Sequence, residues 1–156
     1  MNSKEKRIGL VGVGRMGANM ARNLKDKGYR ISCVNDVAKD IAGSLSEELG
    51  CTHANTLAEV SENSDIILTV VTNDAAMEAI FFNQADNLFL NAKGKLFINC
   101  ATLSPAMHIK LEEKAADVGA QTLEGCMASS ITQAREGTLY LMIGGKKEVF
   151  ESVKDL

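Results

Sequence analysis

The sequence predicts an α/β fold in which a doubly wound, mainly parallel sheet carries helices on both faces. Three observations predict it. Short apolar runs alternate with amphipathic segments along the whole chain, and no repeat or low-complexity stretch interrupts them. Residues 65–71 are mostly apolar, which is typical of a strand buried on both faces. A glycine-rich turn links the first apolar run to the first amphipathic segment.

Each helix is predicted from the spacing of its apolar residues and from the residues at its ends. In the first helix Met20 and Leu24 recur at helical spacing, and Gly28 follows where a C-cap is expected. The fifth helix opens with Ser104 as its N-cap and Pro105 in its first turn. The five helices predicted in this way span residues 16–27, 38–49, 56–61, 74–82 and 104–118.

The strands are predicted from apolar runs that end at turn-forming residues. They span residues 8–13, 31–34, 51–53, 65–71, 95–99, 121–124 and 138–143. A last helix is predicted at the end of the sequence, where Val149, Val153 and Leu156 form an apolar stripe. Such a stripe is expected to pack against a partner surface.

Composition bounds the fold and excludes several classes of function. With 156 residues, 46% of them hydrophobic, and a formal charge of −3, the chain has the size of one domain and no basic character for nucleic acid. No apolar run approaches the roughly 20 residues that span a bilayer, and residues 1–7 are too polar to open a signal peptide. We therefore expect a cytoplasmic protein with no nucleic-acid or membrane partner.

The cysteines and histidines indicate no special chemistry. Because the four cysteines lie far apart, they are predicted to be reduced thiols, and no Cys or His pair has the spacing of metal ligands. The sequence therefore predicts no metal site. His53 and His108 are interpreted as loop or helix-surface residues.

The turn after the first strand reads G-x-G-x-x-G in the run Gly12-Val13-Gly14-Arg15-Met16-Gly17. The first glycine permits a sharp turn, the second leaves room for a pyrophosphate, and the third lets the helix lie close to the strand. The helix N-terminus then presents free N–H groups to the phosphates. This context predicts a Rossmann-type dinucleotide-binding fold with all six residues at the cofactor; a tight turn without a ligand is the alternative.

Asn35 and Asp36 follow the second strand, at the interval where a residue that binds ribose hydroxyls is expected. A carboxylate accepts hydrogen bonds from these hydroxyls and repels a 2′-phosphate, so NAD is favoured over NADP. Lys39, about one helical turn further on, is the residue that can reverse this preference.

Ligands in folds of this kind bind at the carboxyl ends of the strands. Five loops are therefore expected to share one crevice, with simple connections as the alternative for the later ones. They comprise residues 13–16, 35–36, 71–74, 99–102 and 124–130.

Three segments together resemble the N-terminal domain of the β-hydroxyacid dehydrogenases: residues 8–24 around the glycine turn, the run Asn99-Cys100-Ala101-Thr102, and residues 124–145. That family includes 3-hydroxyisobutyrate dehydrogenase, tartronate semialdehyde reductase and the NAD-binding domain of 6-phosphogluconate dehydrogenase. The resemblance spans essentially the whole chain. It implies that Val71 and Thr72 approach the adenosine side of the cofactor and that Thr102 lies near the nicotinamide.

The chain departs from the family in the substrate-binding segment. The usual Asp-Ala-Pro-Val-Ser-Gly-Gly is replaced by Glu124-Gly125-Cys126-Met127-Ala128-Ser129-Ser130. By the resemblance, Ala128, Ser129 and Ser130 are the substrate-binding positions. A serine hydroxyl is missing at Ala128, whereas the hydroxyls of Ser129 and Ser130 can bind an anion in place of a bare glycine backbone.

The resemblance also implies a catalytic lysine in a helical second domain. The lysines of this chain fall on predicted amphipathic helices or beside turns, so no catalytic residue is predicted among them. We expect the helical substrate and dimerisation domain to lie outside this sequence and the complete protein to be a homo-oligomer. The sequence thus predicts the cofactor domain of an NAD(P)-dependent 3-hydroxyacid dehydrogenase or reductase, catalytically incomplete as given. The alternative is a free-standing module that senses dinucleotide or assembles with partners without catalysis.

Overall fold

The computed structural model describes residues 2–156. A short 3₁₀ turn at Ser3–Glu5 precedes the regular elements. In chain order these are β1 (Arg7–Val11), α1 (Arg15–Asp26), β2 (Arg30–Asn35), α2 (Lys39–Leu49), β3 (Thr52–His53), α3 (Leu57–Asn63), β4 (Ile66–Thr69), α4 (Asp74–Phe82), β5 (Leu96–Asn99), α5 (Pro105–Asp117), β6 (Gln121–Met127), α6 (Ile131–Glu136), β7 (Leu141–Gly145) and α7 (Lys147–Glu151).

The strands form one sheet in the order β3-β2-β1-β4-β5-β6-β7. Neighbouring strands pair in parallel, except β6 and β7, which are antiparallel. The chain builds outward from β1 to β3 and then returns to place β4 on the other side of β1. The predicted mainly parallel α/β fold is confirmed. Because the strand order reverses between β1 and β4, the crevice at their carboxyl ends is where a ligand of such a fold binds.

Helices cover both faces of the sheet. On one face α1, α2, α6 and α7 bury residues such as Leu24 and Val149 against β1, β4 and β5. On the other face α3, α4 and α5 cover a cluster centred on Phe81, Phe89 and Phe97, whose ring centroids lie 4.8 to 5.8 Å apart. Strands β4 and β5 are buried at every residue, as expected of strands with a layer on each face.

The last part of the sheet differs from the prediction. β6 continues to Met127, a helix not foreseen from the sequence follows at α6, and the final strand starts at Leu141 rather than at residue 138. The six residues of α6 rise about 9 Å, whereas the seven residues of β6 span about 23 Å. The helix thus covers less than half the length of β6, and β7 pairs with β6 in the antiparallel direction.

The C-terminal apolar stripe is packed inside the domain. Val149 is buried, and Val153 and Leu156 are partly buried against the same core as α1. Asp155 accepts hydrogen bonds from the backbone N–H and the hydroxyl of Ser3 at 2.9 and 2.7 Å, which join the two ends of the chain. The expectation that this stripe needs a separate partner surface is therefore wrong, because the domain's own core covers it.

Within residues 2–156, no helix combines the length and the apolar character needed to cross a membrane.

Candidate dinucleotide-binding site

The three glycines of the turn between β1 and α1 have different surroundings. At Gly12, where φ is +86°, a Cβ atom would lie 2.2 Å from the carbonyl oxygen of Val70. At Gly17 a Cβ atom would lie 2.0 Å from the carbonyl oxygen of Gly12, so α1 lies directly against the turn. At Gly14 nothing in the protein comes within 4 Å of that position. Packing within the protein therefore explains the first and third glycines, and only the second faces open space.

The helix that follows presents its N-terminus to this open space. Gly14 is the N-cap of α1, and the first backbone N–H groups of the helix have no intrahelical acceptor. Arg15 is exposed at the mouth of the turn, whereas Met16 is half-buried and Val13 is fully buried. Val13 and Met16 can thus reach a ligand mainly through their backbone, and Arg15 through its guanidinium group.

Asn35 and Asp36, adjacent in sequence, point to different places. Asn35 is 6% exposed, its side-chain amide donates to the carbonyl of Ala54 at 2.9 Å, and its own carbonyl accepts from the N–H of Gly12 at 3.0 Å. The Asp36 carboxylate accepts from the backbone N–H of Val13 at 2.7 Å and from that of Ala38 at 2.9 Å. Asn35 holds β2 to the turn from behind, and Asp36 stands at the crevice beside it.

The loops after β4 and β5 form the adjoining wall of the crevice. Val71 is half-buried beside Gly12, and Thr72 and Thr102 are exposed. The carboxylate of Asp74 accepts from the backbone N–H and the hydroxyl of Ser104 at 2.9 and 2.6 Å. These hydrogen bonds hold the pKa of Asp74 below its usual value and tie the two loops together.

The sequence profile of the NAD binding domain of 6-phosphogluconate dehydrogenase matches residues 7–156. The chain belongs to this family. A curated relative, the mitochondrial 3-hydroxyisobutyrate dehydrogenase of Drosophila melanogaster, is 33% identical over 150 residues, which are 96% of this chain and 45% of that protein. Another, the 2-hydroxy-3-oxopropionate reductase of Escherichia coli, is 30% identical over 96% of this chain and 50% of the reductase. The predicted membership of the β-hydroxyacid dehydrogenases and the function as an NAD-binding domain are confirmed.

Solved structures show the same fold. An imine reductase variant from Myxococcus stipitatus, in complex with NAD+, superimposes with a TM-score of 0.86 at 23% identity, covering 96% of this chain and 50% of that one. A 3-hydroxyisobutyrate dehydrogenase of Mycobacterium tuberculosis, with L-serine, gives the same TM-score at 22% identity and the same coverage. The NAD-binding domain described here thus spans about half the length of the relatives it matches.

In this NAD-binding domain, the predicted substrate-binding residues 128–130 form hydrogen bonds with the neighbouring backbone. The N–H of Ala128 donates to the carbonyl of Tyr140 at 3.0 Å, and the hydroxyl of Ser129 accepts from the N–H of Tyr140 at 2.7 Å. Ser130 is the N-cap of α6 and forms a capping box with Gln133. Both serine oxygens therefore already act as acceptors, while each hydroxyl hydrogen remains a donor for an anion.

Three lysines are engaged by partners elsewhere in the domain. Lys110 on α5 is paired with Glu78 at 2.7 Å, and Lys154, in the turn after α7, is paired with Glu151 at 2.6 Å; both lysines are exposed. Lys95 is half-buried, but it precedes β5 and donates to the carbonyl of Ser64 at 2.6 Å, at the amino end of the sheet.

Sequence reasoning missed one cluster of polar side chains. His108, Glu124 and Cys126 meet between α5 and β6, and the interpretation of His108 as a helix-surface residue is wrong, because its side chain is only 13% exposed. Burial and the neighbouring Glu124 carboxylate raise the pKa of Cys126 to about 11, so the thiol is protonated and donates to Glu124 at 3.0 Å. Ligand spacing along the chain gave no signal, since the three residues come from two separate elements.

Proposed function

We propose that this chain is the cofactor domain of an NAD-dependent oxidoreductase that transfers hydride between nicotinamide and a small 3-hydroxyacid or a related carbonyl compound. The observation that carries the proposal is the contrast within the turn: Gly12 and Gly17 are packed by protein, whereas the space beside Gly14 is free. A glycine kept where no protein atom requires one is explained by a ligand that approaches the backbone there. The similarity to a 3-hydroxyisobutyrate dehydrogenase and a 2-hydroxy-3-oxopropionate reductase supports the substrate class.

In this proposal the pyrophosphate lies on the N-terminus of α1, against the backbone of residues 12–17 with the exposed Arg15 beside it. The adenosine ribose lies at Asp36, which already borders the turn through its bond to Val13. Val71 and Thr72 line the adenosine side, and Thr102 lies near the nicotinamide. Asn35 does not face the ligand; its amide donates to the carbonyl of Ala54, and its own carbonyl accepts from Gly12 and so holds the turn in place.

NAD is the preferred cofactor because the carboxylate of Asp36 accepts hydrogen bonds from ribose hydroxyls and repels a 2′-phosphate. Lys39 is exposed and its ammonium donates to the carbonyl of Asn55 at 3.3 Å, which engages it in the loop before α3. The 2′-phosphate would therefore gain little from Lys39 and lose energy against Asp36.

Hydride transfer to a carbonyl also needs a group that supplies the proton. In residues 2–156 the lysines occupy surface helices, turns and the amino end of β5. We therefore assign the proton donor to a residue outside this chain and expect the isolated chain to bind dinucleotide without turnover. The hydroxyls of Ser129 and Ser130 are the groups that donate to the substrate carboxylate.

We also propose a cellular compartment and an oligomeric state for the protein. Cys33, Cys51, Cys100 and Cys126 are all free thiols, which fits a reducing, cytoplasmic compartment. A homo-oligomer is proposed for the complete protein.

Replacing Gly14 tests directly whether the free space beside it is occupied by the cofactor. The backbone there has φ −64° and ψ −162°, a negative φ at the border of the extended region, and a Cβ would meet no protein atom within 4 Å. We expect Gly14→Ala to leave the unfolding midpoint unchanged and to weaken NAD+ binding by about 10- to 100-fold, because the methyl group occupies ligand space. Calorimetric titration of the purified chain with NAD+ measures this.

The matched control is Gly43→Ala, inside α2, where a Cβ would make an ordinary 3.6 Å contact with His53. That variant is expected to be slightly more stable and to bind NAD+ as the parent does. Equal NAD+ affinities for Gly14→Ala and the parent chain would refute the proposed pyrophosphate position.

Asp36→Arg tests cofactor choice. We expect the ratio of the NAD+ and NADP+ dissociation constants to shift toward NADP+ by at least about tenfold, because the substitution replaces a repulsive charge by one that binds a 2′-phosphate. Asp40→Arg, an exposed change in the first turn of α2, makes the same charge change as a control and should leave the ratio in place. An unchanged ratio of dissociation constants in Asp36→Arg would show that Asp36 does not contact the adenosine ribose.

Turnover distinguishes the oxidoreductase from a sensing module. The complete gene product is assayed with NAD+ and a panel of 3-hydroxyacids beside the isolated chain. Oxidation by the complete product alone supports the proposal, whereas dinucleotide binding without oxidation by either supports the sensing or assembly module.

A further inference from the structure

Three different metal-ligating side chains converge between α5 and β6, outside the dinucleotide site. The Nε2 atom of His108 lies 3.2 Å from the Oε1 atom of Glu124, and the Sγ atom of Cys126 lies 3.0 Å from the same oxygen. The three ligand atoms all lie within 4.8 Å of one another. The cluster thus offers one nitrogen, one oxygen and one sulfur donor to a common point.

The fold explains why these residues meet. Glu124 and Cys126 are alternate residues of β6, so their side chains leave the strand on the same face. α5 packs against β6, and His108 lies near its N-terminal end, one turn after the N-cap. The convergence therefore depends both on the packing of α5 and on the pleat of β6, a strand that is paired on both sides.

Among the described residues, one ring nitrogen of the His108 imidazole lacks a hydrogen-bond partner. Its Nε2 atom is buried and has no partner in hydrogen-bond geometry within residues 2–156, although the Glu124 oxygen is only 3.2 Å away. A buried polar atom without a partner destabilises the folded state. A cation between the nitrogen, the carboxylate and the sulfur would satisfy all three side chains at once.

The spacing suits a small tetrahedral cation. Zn²⁺ bonds to nitrogen, oxygen and sulfur at about 2.0–2.3 Å, which places neighbouring ligand atoms roughly 3.3–3.8 Å apart. The two separations from the Glu124 oxygen, 3.2 and 3.0 Å, lie a few tenths of an ångström below that range, so the side chains would move apart slightly to admit the ion. A mixed set of imidazole, carboxylate and thiol ligands is typical of zinc rather than of Mg²⁺ or Ca²⁺.

A cleft of about 230 Å³ opens on one side of the cluster and is lined by His108, Glu124 and Glu112 among others. The cleft gives a cation access from solvent and leaves its fourth position to water. Glu112, which is exposed one helical turn along α5 from His108, stands at the rim of the same cleft.

We propose that His108, Glu124 and Cys126 bind one zinc ion that joins α5 to β6. The proton of the Cys126 thiol passes to solvent as the zinc–sulfur bond forms. Because Cys126 also contacts the carbonyl of Ala101 at 3.7 Å, the ion would hold the loop that carries Thr102 as well. The proposal rests on this cluster and does not require a dinucleotide to be bound.

The purified chain, freed of metal with a chelator, is titrated with Zn²⁺ by calorimetry and with Co²⁺ by absorbance. We expect one ion per chain, a rise of the unfolding midpoint with Zn²⁺, and a thiolate-to-cobalt charge-transfer band in the near ultraviolet. Cys126→Ser, His108→Gln and Glu124→Gln should each weaken Zn²⁺ binding by at least about tenfold.

Cys51→Ser and His53→Gln are the matched controls, since both residues lie at the opposite edge of the sheet and should leave Zn²⁺ affinity unchanged. The unfolding midpoint of each metal-free variant shows that it is folded. The Co²⁺ spectrum of the parent chain decides the question even if a variant fails to fold. Absence of a thiolate band, or equal Zn²⁺ binding by Cys126→Ser and the parent, overturns the proposal.

Discussion

The two ends of the crevice are built by different means. At the phosphate end, backbone packing alone sets the shape: Gly12 and Gly17 fit against Val70 and against the turn itself, and the free space lies beside Gly14. At the proposed substrate end, the side-chain oxygens of Ser129 and Ser130 already accept hydrogen bonds from the local backbone. The first end is preformed for a ligand, whereas the second shares its polar groups between fold and ligand. A substitution at the second end therefore acts on stability and on binding together.

The largest expected effect comes from Gly12→Ala. The left-handed backbone costs about 1–2 kcal/mol for alanine, and relieving the 2.2 Å clash with the Val70 carbonyl adds about 1–3 kcal/mol. We expect the free energy of unfolding, measured with denaturant, to fall by about 2–5 kcal/mol. Gly14→Ala, in the same turn, should keep its full stability. Similar stability of the two variants would contradict the distinction between packed and open glycines.

Ser130→Ala is expected to have a smaller effect, at the substrate end. It removes the N-cap oxygen of α6 and half of the capping box with Gln133, a loss of about 1 kcal/mol in unfolding free energy. Ser130→Asp keeps an N-cap acceptor and should recover most of that stability. NAD+ affinity should be the same in all three proteins; a large loss in Ser130→Ala would show that the two ends are not independent.

The smallest effect is expected at the amino ends of β1 and β4, opposite the crevice. The Arg7 guanidinium lies 2.9 Å from the Asp65 carboxylate and lowers the pKa of Asp65 from 3.8 to about 2. Because the folded pKa is depressed, the contribution of Asp65 to stability is present above pH 4 and is lost as the pH falls toward 2. Both side chains are about a third exposed, so the contribution should be below about 1 kcal/mol.

Asp65→Asn checks this expectation. The difference in unfolding free energy between the parent and the variant should be constant from pH 5 to pH 7 and shrink between pH 4 and pH 2. NAD+ affinity at neutral pH should not change, because the pair lies at the far end of the sheet. A difference that grows toward low pH would mean that the sign of the Asp65 contribution is reversed.

Much of the fold follows from local patterns. The buried strand β4, the glycine turn and the N-cap at Ser104 all occur close to where the sequence predicts them. The short helix α6 was missed because six residues with one buried position carry almost no periodic signal. For the same reason the sequence did not predict that β7 runs antiparallel.

At the site, sequence patterns predict which loops border the crevice but not where each side chain points. Asn35 and Asp36 are adjacent in sequence but have different roles. Asn35 is buried and its amide donates to the carbonyl of Ala54, whereas the Asp36 carboxylate accepts from Val13 in the glycine turn. Asn35 is the last residue of β2 and Asp36 the first residue after it, and only packing decides which of the two side chains faces the crevice.

The sequence by itself determined the family, the α/β fold and the dinucleotide turn, because glycine spacing and apolar runs are local properties that need few residues to be recognised. The tertiary structure decided that the C-terminal stripe is covered by the domain's own core and that the last strand is antiparallel. It also brought the side chains of His108, Glu124 and Cys126 within 4.8 Å of one another. These features depend on contacts between distant segments, and such contacts are set by the length and packing of whole elements rather than by any local pattern.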